Sequence, residues 1–180
     1  MKVLVPLAPG FEEIEAVTII DLLRRAQINV TTAALEDNPV IGAHNITVAA
    51  DINIKNAETY NFGCIALPGG MPGSNNLKEN SDVISLIKKI NKSGGIVSAI
   101  CAAPIVLGRA GILAGKKAVC FPGFEKELTG AIISNSFIEI DGNILTAKGP
   151  GCAISFSLKL IELISGKEIS DKVRDNLQIC

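Results

Sequence analysis

A cysteine stands at the junction of two sequence patterns in "GGIVSAICAAPIVLGRAG", residues 94–111. The apolar run Ile96–Ile100 predicts a buried strand, and the residues after Cys101, with Pro104 near their start, predict a helix. A nucleophile on such a sharp turn is exposed, and the backbone N–H groups that follow it point toward the same space. A helix N-terminus also favours the thiolate and lowers the thiol pKa. We therefore predict that Cys101 is a nucleophile with a lowered pKa, although most free cysteines are small buried hydrophobes.

The remaining cysteines lack this context, and we interpret them as structural or incidental. The chain has five cysteines, an odd number, and none forms a C-x-x-C pair, so neither a disulfide framework nor a zinc site is expected. The chain has a single histidine, which argues against metal-dependent chemistry. The four residues in question are Cys64, Cys120, Cys152 and Cys180.

The stretch "LPGGMPG", residues 67–73, offers unhindered backbone N–H groups at the end of a predicted strand. Such donors can hold an oxyanion beside a thiolate. A Gly-Gly pair alone usually marks only a turn. We interpret this pair as a candidate oxyanion site only in combination with the predicted nucleophile Cys101.

Three carboxylates occur together in "GFEEIEA". Glu12 and Glu13 suit the first turn of a helix, where they complement the helix dipole. Helical spacing instead points Glu15 inward, on the side of Phe11 and Val17, where burial would raise the carboxyl pKa. A protonated Glu15 could donate a hydrogen bond to a thiolate; the spacing leaves open whether it does. Carboxylates in this loop would also repel a phosphate cofactor, and we expect no cofactor and no metal.

Strand-like and helical segments alternate along the whole chain. This alternation predicts an α/β fold in which helices cover both faces of a mostly parallel sheet. Ligands of such folds bind at the carboxyl ends of the strands, beside a topological switch point. We expect three loops, residues 8–15, 68–73 and 99–104, to converge there.

Turn and capping residues place some boundaries. Ser81 is the predicted N-cap of a helix that stops at Gly94, and Gly166 ends a long amphipathic helix. Asp141-Gly142 predicts the two-residue turn of a hairpin within "FIEIDGNILTA".

Composition narrows the class of protein. The 180 residues suit a single domain over residues 1–180, with 48 % apolar and 19 % charged residues. A net charge of -1 and the absence of Trp give no reason to expect a nucleic acid or an anionic membrane as partner. The apolar runs are shorter than the roughly 18 residues of a membrane span. The N-terminal sequence does not resemble a signal peptide, so we expect a cytoplasmic protein.

Four motifs, "GFEEIEA", "LPGGMPG", "AICAAP" and "LTAKGPG", resemble in this order the ThiJ/PfpI superfamily. Within it they are most similar to the subgroup of the Parkinson-linked protein called DJ-one and its bacterial homologues. The resemblance runs over nearly the whole chain, from "KVLVPLAPG" to "GKEISDKVRDNL".

The resemblance implies a flavodoxin-like three-layer α/β/α sandwich with a nucleophile elbow, and a homodimer. It gives Cys101 the position of the nucleophile, Glu15 that of the carboxylic acid beside it, and Gly70 and Ala102 those of backbone donors. Gly69 and His44 are candidate accessory residues. The implied activities need no cofactor: conversion of α-oxoaldehydes to hydroxy acids and repair of early glycation adducts, in protection against carbonyl and oxidative stress.

At two positions this sequence lacks a histidine that some relatives have, and both differences restrict the reactions that we expect. Phe121 in "VCFPGF" stands where mammalian members have a histidine, and Ala102 stands where the protease-like branch has one. A peptidase or amidotransferase that needs a Cys-His pair is therefore disfavoured. Two hypotheses remain: an enzyme that acts on small aldehydes through Cys101, or a redox sensor or stress chaperone without turnover, in which Cys101 is oxidised.

Overall fold

The computed structural model describes residues 1–179, so Cys180 lies outside the described residues. The strands are β1 (Lys2–Leu7), β2 (Asn29–Ala34), β3 (Val40–Ile41), β4 (Thr47–Val48), β5 (Ile52–Asn53), β6 (Cys64–Leu67), β7 (Ile96–Ile100), β8 (Lys117–Ala118), β9 (Ile132–Ile133), β10 (Ile138–Asp141) and β11 (Ile144–Ala147). The α-helices are α1 (Glu13–Arg25), α2 (Gly73–Glu79), α3 (Ser81–Lys92), α4 (Pro104–Ala110), α5 (Ala153–Ser165) and α6 (Lys167–Asn176). Short 3-10 helices cover Ile54–Thr59, Glu125–Glu127 and Pro150–Cys152. Among residues 1–179, no helix is both long enough and apolar enough to cross a membrane.

Seven of these strands form the central sheet, in the order β10-β11-β7-β6-β1-β2-β5. Neighbouring strands run parallel, except for the antiparallel edge pair β10 and β11. The chain passes from β1 to β2 on one side and later crosses to β6 on the other side of β1. The topological switch point therefore lies between β1 and β6, where a ligand crevice is expected.

Apolar side chains on both faces of the sheet explain the three layers. On β1, Val3, Val5 and Leu7 join one buried cluster with apolar residues of α1 and α5. Leu4 points to the other face and joins the cluster that contains residues of α3 and α4. A strand buried on both faces is a continuous apolar run, as the sequence shows. The predicted α/β sandwich with a mostly parallel sheet is confirmed.

Two predicted boundaries are wrong by one residue. Asn80, not Ser81, caps α3, because its side chain accepts the N–H of Val83 at 3.0 Å. In the hairpin, the pairing of Asp141 with Ile144 leaves residues 142 and 143 as the turn. Asp141 belongs to the strand, where its carboxylate accepts the N–H of Lys117 at 2.9 Å.

Candidate active site

Cys101 lies on the turn between β7 and α4, with a φ of +64°. Few residues other than glycine adopt this left-handed conformation. Two backbone hydrogen bonds hold it: Cys101 N–H donates to the carbonyl of Ala147 at 2.8 Å, and Phe121 N–H donates to the carbonyl of Cys101 at 2.7 Å. The predicted sharp strand-to-helix turn is confirmed, but the expected exposure of the side chain is wrong, because Cys101 is buried with 9 % of its surface exposed.

The three loops predicted to converge do so. Glu12 N–H donates to the carbonyl of Gly69 at 2.9 Å, and Gly73 N–H donates to the carbonyl of Gly10 at 3.2 Å. The loops after β1, β6 and β7 thus meet at the carboxyl edge of the sheet, beside the switch point.

Glu15 is fully buried in the first turn of α1. Its Oε2 accepts the N–H of Gly69 at 2.7 Å, while Oε1 has no N–H or O–H partner among the described residues. Burial raises the pKa of the carboxyl to about 7, and the negative charge of Glu12 acts in the same direction. The Gly69 N–H and the Cys101 thiol lower this pKa in part. The inward orientation expected from helical spacing is therefore correct.

The glycine pair allows the loop to approach the other two residues. A Cβ on Gly69 would lie 2.7 Å from the Cys101 Cβ and 2.7 Å from Glu15 Oε2. Gly70 has a φ of +91°, and a Cβ there would collide with the backbone of residues 10–12. With no side chain in the way, the Gly70 amide reaches the Cys101 sulfur, as the Ala102 amide does from the start of the following helix.

The expectation that the Cys101 thiol has a lowered pKa is wrong. Burial is the largest cause and raises the pKa of Cys101 to about 12, and the negative charge of Glu15 raises it further. The amides of Ala102 and Gly70 lower it but do not compensate. The thiol pKa is thus raised mainly because the sulfur is buried, and secondarily because it lies beside the Glu15 carboxylate.

His44 lies outside this arrangement. Its backbone N–H donates to Glu13 Oε1 at 2.6 Å, and its ring Nδ1 lies 2.9 Å from Glu13 Oε2. Glu13 is buried, so it anchors the loop of residues 42–46 to α1 in addition to complementing the helix dipole. The Glu13 carboxylate raises the pKa of His44, whose side chain is exposed.

Glu12, Glu13 and His44 bring donor atoms within 4.8 Å of one another, a spacing that a metal ion could use. Both Glu13 oxygens already accept hydrogen bonds from the 42–46 loop. These bonds account for the cluster without an ion.

The other described cysteines lie outside the three loops in sequence. Cys64 is buried within β6, where burial raises its thiol pKa. Burial likewise raises the pKa of Cys120 to about 12, and Cys152 is partly buried at the end of a 3-10 helix. None of them has the turn geometry of Cys101.

Sequence reasoning missed an apolar pocket beside the elbow. Phe121 was singled out only as a departure from relatives, and neither Phe137 nor Lys148 was singled out at all, although the three form much of the pocket wall. The available signal was Phe137, a lone aromatic residue at the start of a hairpin whose partner strand leads into "KGPG".

Fold and site together define a class: a doubly wound α/β domain with a cysteine on a nucleophile elbow and a buried carboxyl beside it. The model of the DJ-1/PfpI family matches residues 1–163. The chain belongs to this family.

Individual relatives are similar over most of the chain. Protein DJ-1 homolog B of Arabidopsis thaliana is 42 % identical over 93 % of the chain, which spans only 39 % of that protein's length. The glutathione-independent glyoxalase DJR-1.2 of Caenorhabditis elegans is 35 % identical, over 87 % of this chain and 84 % of that protein. The solved structure "Toxoplasma gondii DJ-1, oxidized" superposes with a TM-score of 0.94 at 40 % identity, covering 98 % of this chain and 97 % of the other. These matches agree with the flavodoxin-like fold that the resemblance implies.

Proposed function

We propose that the protein is a cofactor-independent enzyme that uses Cys101 to convert small α-oxoaldehydes, or the early adducts they form, to hydroxy acids. The observation that carries this proposal is the single cluster of Cys101, Glu15 and the loop containing Gly69 and Gly70 at the switch point. It combines a nucleophile, a group able to hold a proton and two amides aimed at the same space. These are the components that addition to a carbonyl requires.

The first step is a proton transfer within the pair. When the Cys101 proton moves to the buried Glu15 carboxylate, the negative charge of Glu15 no longer raises the thiol pKa, and burial is the remaining cause that opposes the thiolate. The Gly70 and Ala102 amides then stabilise the thiolate, and the protonated Glu15 donates a hydrogen bond to it. The pair carries one negative charge before and after the transfer, so no additional charge is buried.

The thiolate then adds to the aldehyde carbon and forms a C–S bond, and the aldehyde oxygen takes up a proton to give a hemithioacetal. Movement of the hydrogen from the former aldehyde carbon to the neighbouring carbonyl carbon, with Glu15 as proton carrier, gives a thioester and an alcohol. Water cleaves the thioester and releases the 2-hydroxy acid and the Cys101 thiol. One carbon is oxidised and its neighbour reduced, so the reaction needs only water besides the aldehyde.

The comparison with the worm protein supports this class of reaction, since that relative is named a glutathione-independent glyoxalase. Two departures from a Cys-His enzyme support the role of Glu15. Phe121 provides no imidazole beside the elbow, and His44 is bonded to Glu13 instead.

The test is methylglyoxal consumption and lactate formation by purified protein without glutathione. We expect turnover by the wild type and a loss of at least about 10³-fold in Cys101→Ser, because the nucleophile is removed. Cys64→Ala, within β6 and outside the three loops, is the matched control and should retain activity. Equal rates in wild type and Cys101→Ser would assign the chemistry to other residues.

The second candidate, a redox sensor, is favoured by one observation: the Toxoplasma relative with the same fold is described as oxidized. In this role Cys101 would be oxidised to the sulfenate or sulfinate, and the amides that hold a thiolate would hold the new oxygens. Absence of turnover in the aldehyde assay, together with selective oxidation of Cys101 by peroxide, would favour this role over the enzyme.

A further inference from the structure

An apolar pocket of about 390 Å³ lies beside the elbow. This volume is within the roughly 300–1,000 Å³ range of small-molecule sites. One side is formed by Phe121 and Pro122, another by Phe137 and Lys148, and the remainder by residues 149–152.

Backbone hydrogen bonds place the start of each wall next to the main chain of Cys101. Phe121 N–H donates to the Cys101 carbonyl at 2.7 Å, and this residue begins the first wall. Cys101 N–H donates to Ala147 at 2.8 Å, and Lys148, the next residue, begins the second. The pocket is therefore fixed to the same main-chain segment that holds the thiol.

The walls are positioned by contacts of their own. Gly149 lacks a Cβ that would lie 3.2 Å from the Phe121 ring, so the ring can lie close to the main chain. Lys148 N–H donates to the Phe137 carbonyl at 2.9 Å, and the Lys148 ammonium lies 5.3 Å from the centre of the Phe137 ring. This cation–π contact keeps the ammonium at the ring, although Phe137 is 71 % exposed.

We propose that this pocket binds the carbon substituent of the α-oxoaldehyde, and that Phe121 and Phe137 make the enzyme prefer an apolar, ring-sized substituent over methyl. The inference rests on the proposed function and names its substrate class. The two reacting carbons occupy the narrow space at Cys101, and the rest of the substrate extends into the pocket next to it. A ring gains apolar contact with both phenylalanines that a methyl group is too small to make.

A polar substituent would be disfavoured here. A hydroxyl group placed between Phe121 and Phe137 would gain no hydrogen bond from either ring, and of the lining side chains only the Lys148 ammonium could donate one. The preference thus has two causes: an apolar substituent gains contacts with the two rings, and a polar substituent finds few hydrogen-bond partners there.

The experiment compares kcat/KM for phenylglyoxal and methylglyoxal in the wild type, Phe137→Ser and Phe121→Asn. Because the aldehydes differ in intrinsic reactivity, the quantity of interest is the change in their ratio between proteins. We expect the wild type to favour phenylglyoxal and each variant to lower the ratio by about tenfold or more. Tyr60→Ser is the matched control, because it removes an exposed aromatic residue that contacts Phe62 and Lys2 at the amino end of β1, whereas the pocket follows the carboxyl ends of β7 and β11.

The outcomes separate the two proposals. If both aldehydes are consumed but the ratio is the same in all four proteins, the pocket assignment is wrong and the proposed function stands. If neither aldehyde is consumed, the proposed function is wrong, and so is the pocket assignment that rests on it. The exposed position of Phe137 keeps the test valid should Phe121→Asn not fold.

Discussion

At the scale of single residues, the central feature is one proton shared by two buried groups. Burial raises the pKa of both Glu15 and Cys101; the negative charge of Glu15 raises the thiol pKa further, whereas the hydrogen bond with the thiol lowers the pKa of Glu15. Neither residue can therefore be assigned a role independently of the other. Two experiments address the pair, one through stability and one through reactivity.

The first prediction concerns stability against pH. Folding raises the Glu15 pKa from 4.5 to about 7, so the carboxyl favours the folded state below pH 4.5 and loses that contribution as the pH rises to 7. The loss amounts to about 3 kcal/mol. Glu15→Gln mimics the protonated acid and should lack this loss, while the facing charges, Glu12 and Cys101, are unchanged.

Urea denaturation of both proteins at pH 4.5 and pH 7.5 measures this difference. We expect the free energy of unfolding of the wild type to fall more than that of Glu15→Gln over this interval. Equal falls would show that Glu15 is ionised in the folded state at low pH.

The second prediction concerns thiol reactivity. In the proposed reactive state the Cys101 proton has moved to Glu15, which then donates a hydrogen bond to the thiolate. Replacing Glu15 by Leu removes this proton acceptor as well as the charge that raises the thiol pKa. We expect loss of the acceptor to dominate, so alkylation by iodoacetamide at pH 6 slows by about tenfold or more. Glu15→Gln should lie between the two, because its amide still donates a hydrogen bond. In peroxide-treated wild type, mass spectrometry should find Cys101 oxidised before Cys64, Cys120 or Cys152. A different first cysteine would contradict the assignment of the reactive thiol.

At the scale of elements, the approach of one glycine loop to one elbow sets the geometry. Gly69→Ala places a Cβ 2.7 Å from both the Cys101 Cβ and Glu15 Oε2, so the loop must move away. We expect a loss of about 1–3 kcal/mol in stability and of at least about 10²-fold in aldehyde turnover, because the pair is displaced. Chemical denaturation and the methylglyoxal assay measure the two effects.

Gly94→Ala is the control for that variant. Gly94 has a φ of +76° and open space around its Cβ position, and it precedes the amino end of β7, whereas the three loops lie at the carboxyl ends of their strands. It should lose roughly 1 kcal/mol of stability through backbone strain and keep its activity. Comparable losses of activity in both variants would mean that turnover follows stability alone.

Much of this arrangement could be predicted from sequence because it depends on local patterns. The strand before Cys101, the helix after it and the inward spacing of Glu15 are all set by periodicity within a few residues. The role of Glu13 could not be predicted, since its partners, His44 and Ile46, are more than thirty positions away. The same holds for Phe121 and Phe137, which line one pocket only because the sheet brings β11 beside β7.

The pKa of the Cys101 thiol could not be predicted from the sequence for a different reason. The sequence predicts the helix N-terminus and the amides that lower the pKa of Cys101, which are local. It does not predict how deeply the sulfur is buried or how closely Glu15 approaches it, and these tertiary effects are larger.

At the scale of the whole molecule, exposed apolar side chains on one face support the homodimer that we propose. Ile14 and Val17 on α1 are 59 % and 47 % exposed, and Ile41 and Ile46 on the adjoining β3–β4 segment are 54 % and 55 % exposed. Hydrogen bonds from Gly10 and His44 tie this segment to the start of α1. A patch of this kind is typical of an interaction surface.

The corresponding prediction is that the protein sediments as a dimer at micromolar concentration and that Val17→Glu shifts it to monomer. A buried, unpaired charge at a contact between copies is strongly unfavourable. Ile132→Glu, at an equally exposed apolar position outside this patch, should remain dimeric. A wild type that sediments only as monomer would rule out the dimer.

The amides of Gly69, Gly70 and Ala102 contribute to the site through the main chain alone, which affects how the site responds to genetic screens. An alanine scan deletes side chains, so at these positions it either changes nothing, as at Ala102, or introduces a collision, as at Gly69 and Gly70. Such a scan would identify Cys101 and Glu15 and overlook the hydrogen bonds that stabilise the sulfur. An ester linkage in place of the Ala102 amide would delete one of these bonds while leaving every side chain intact.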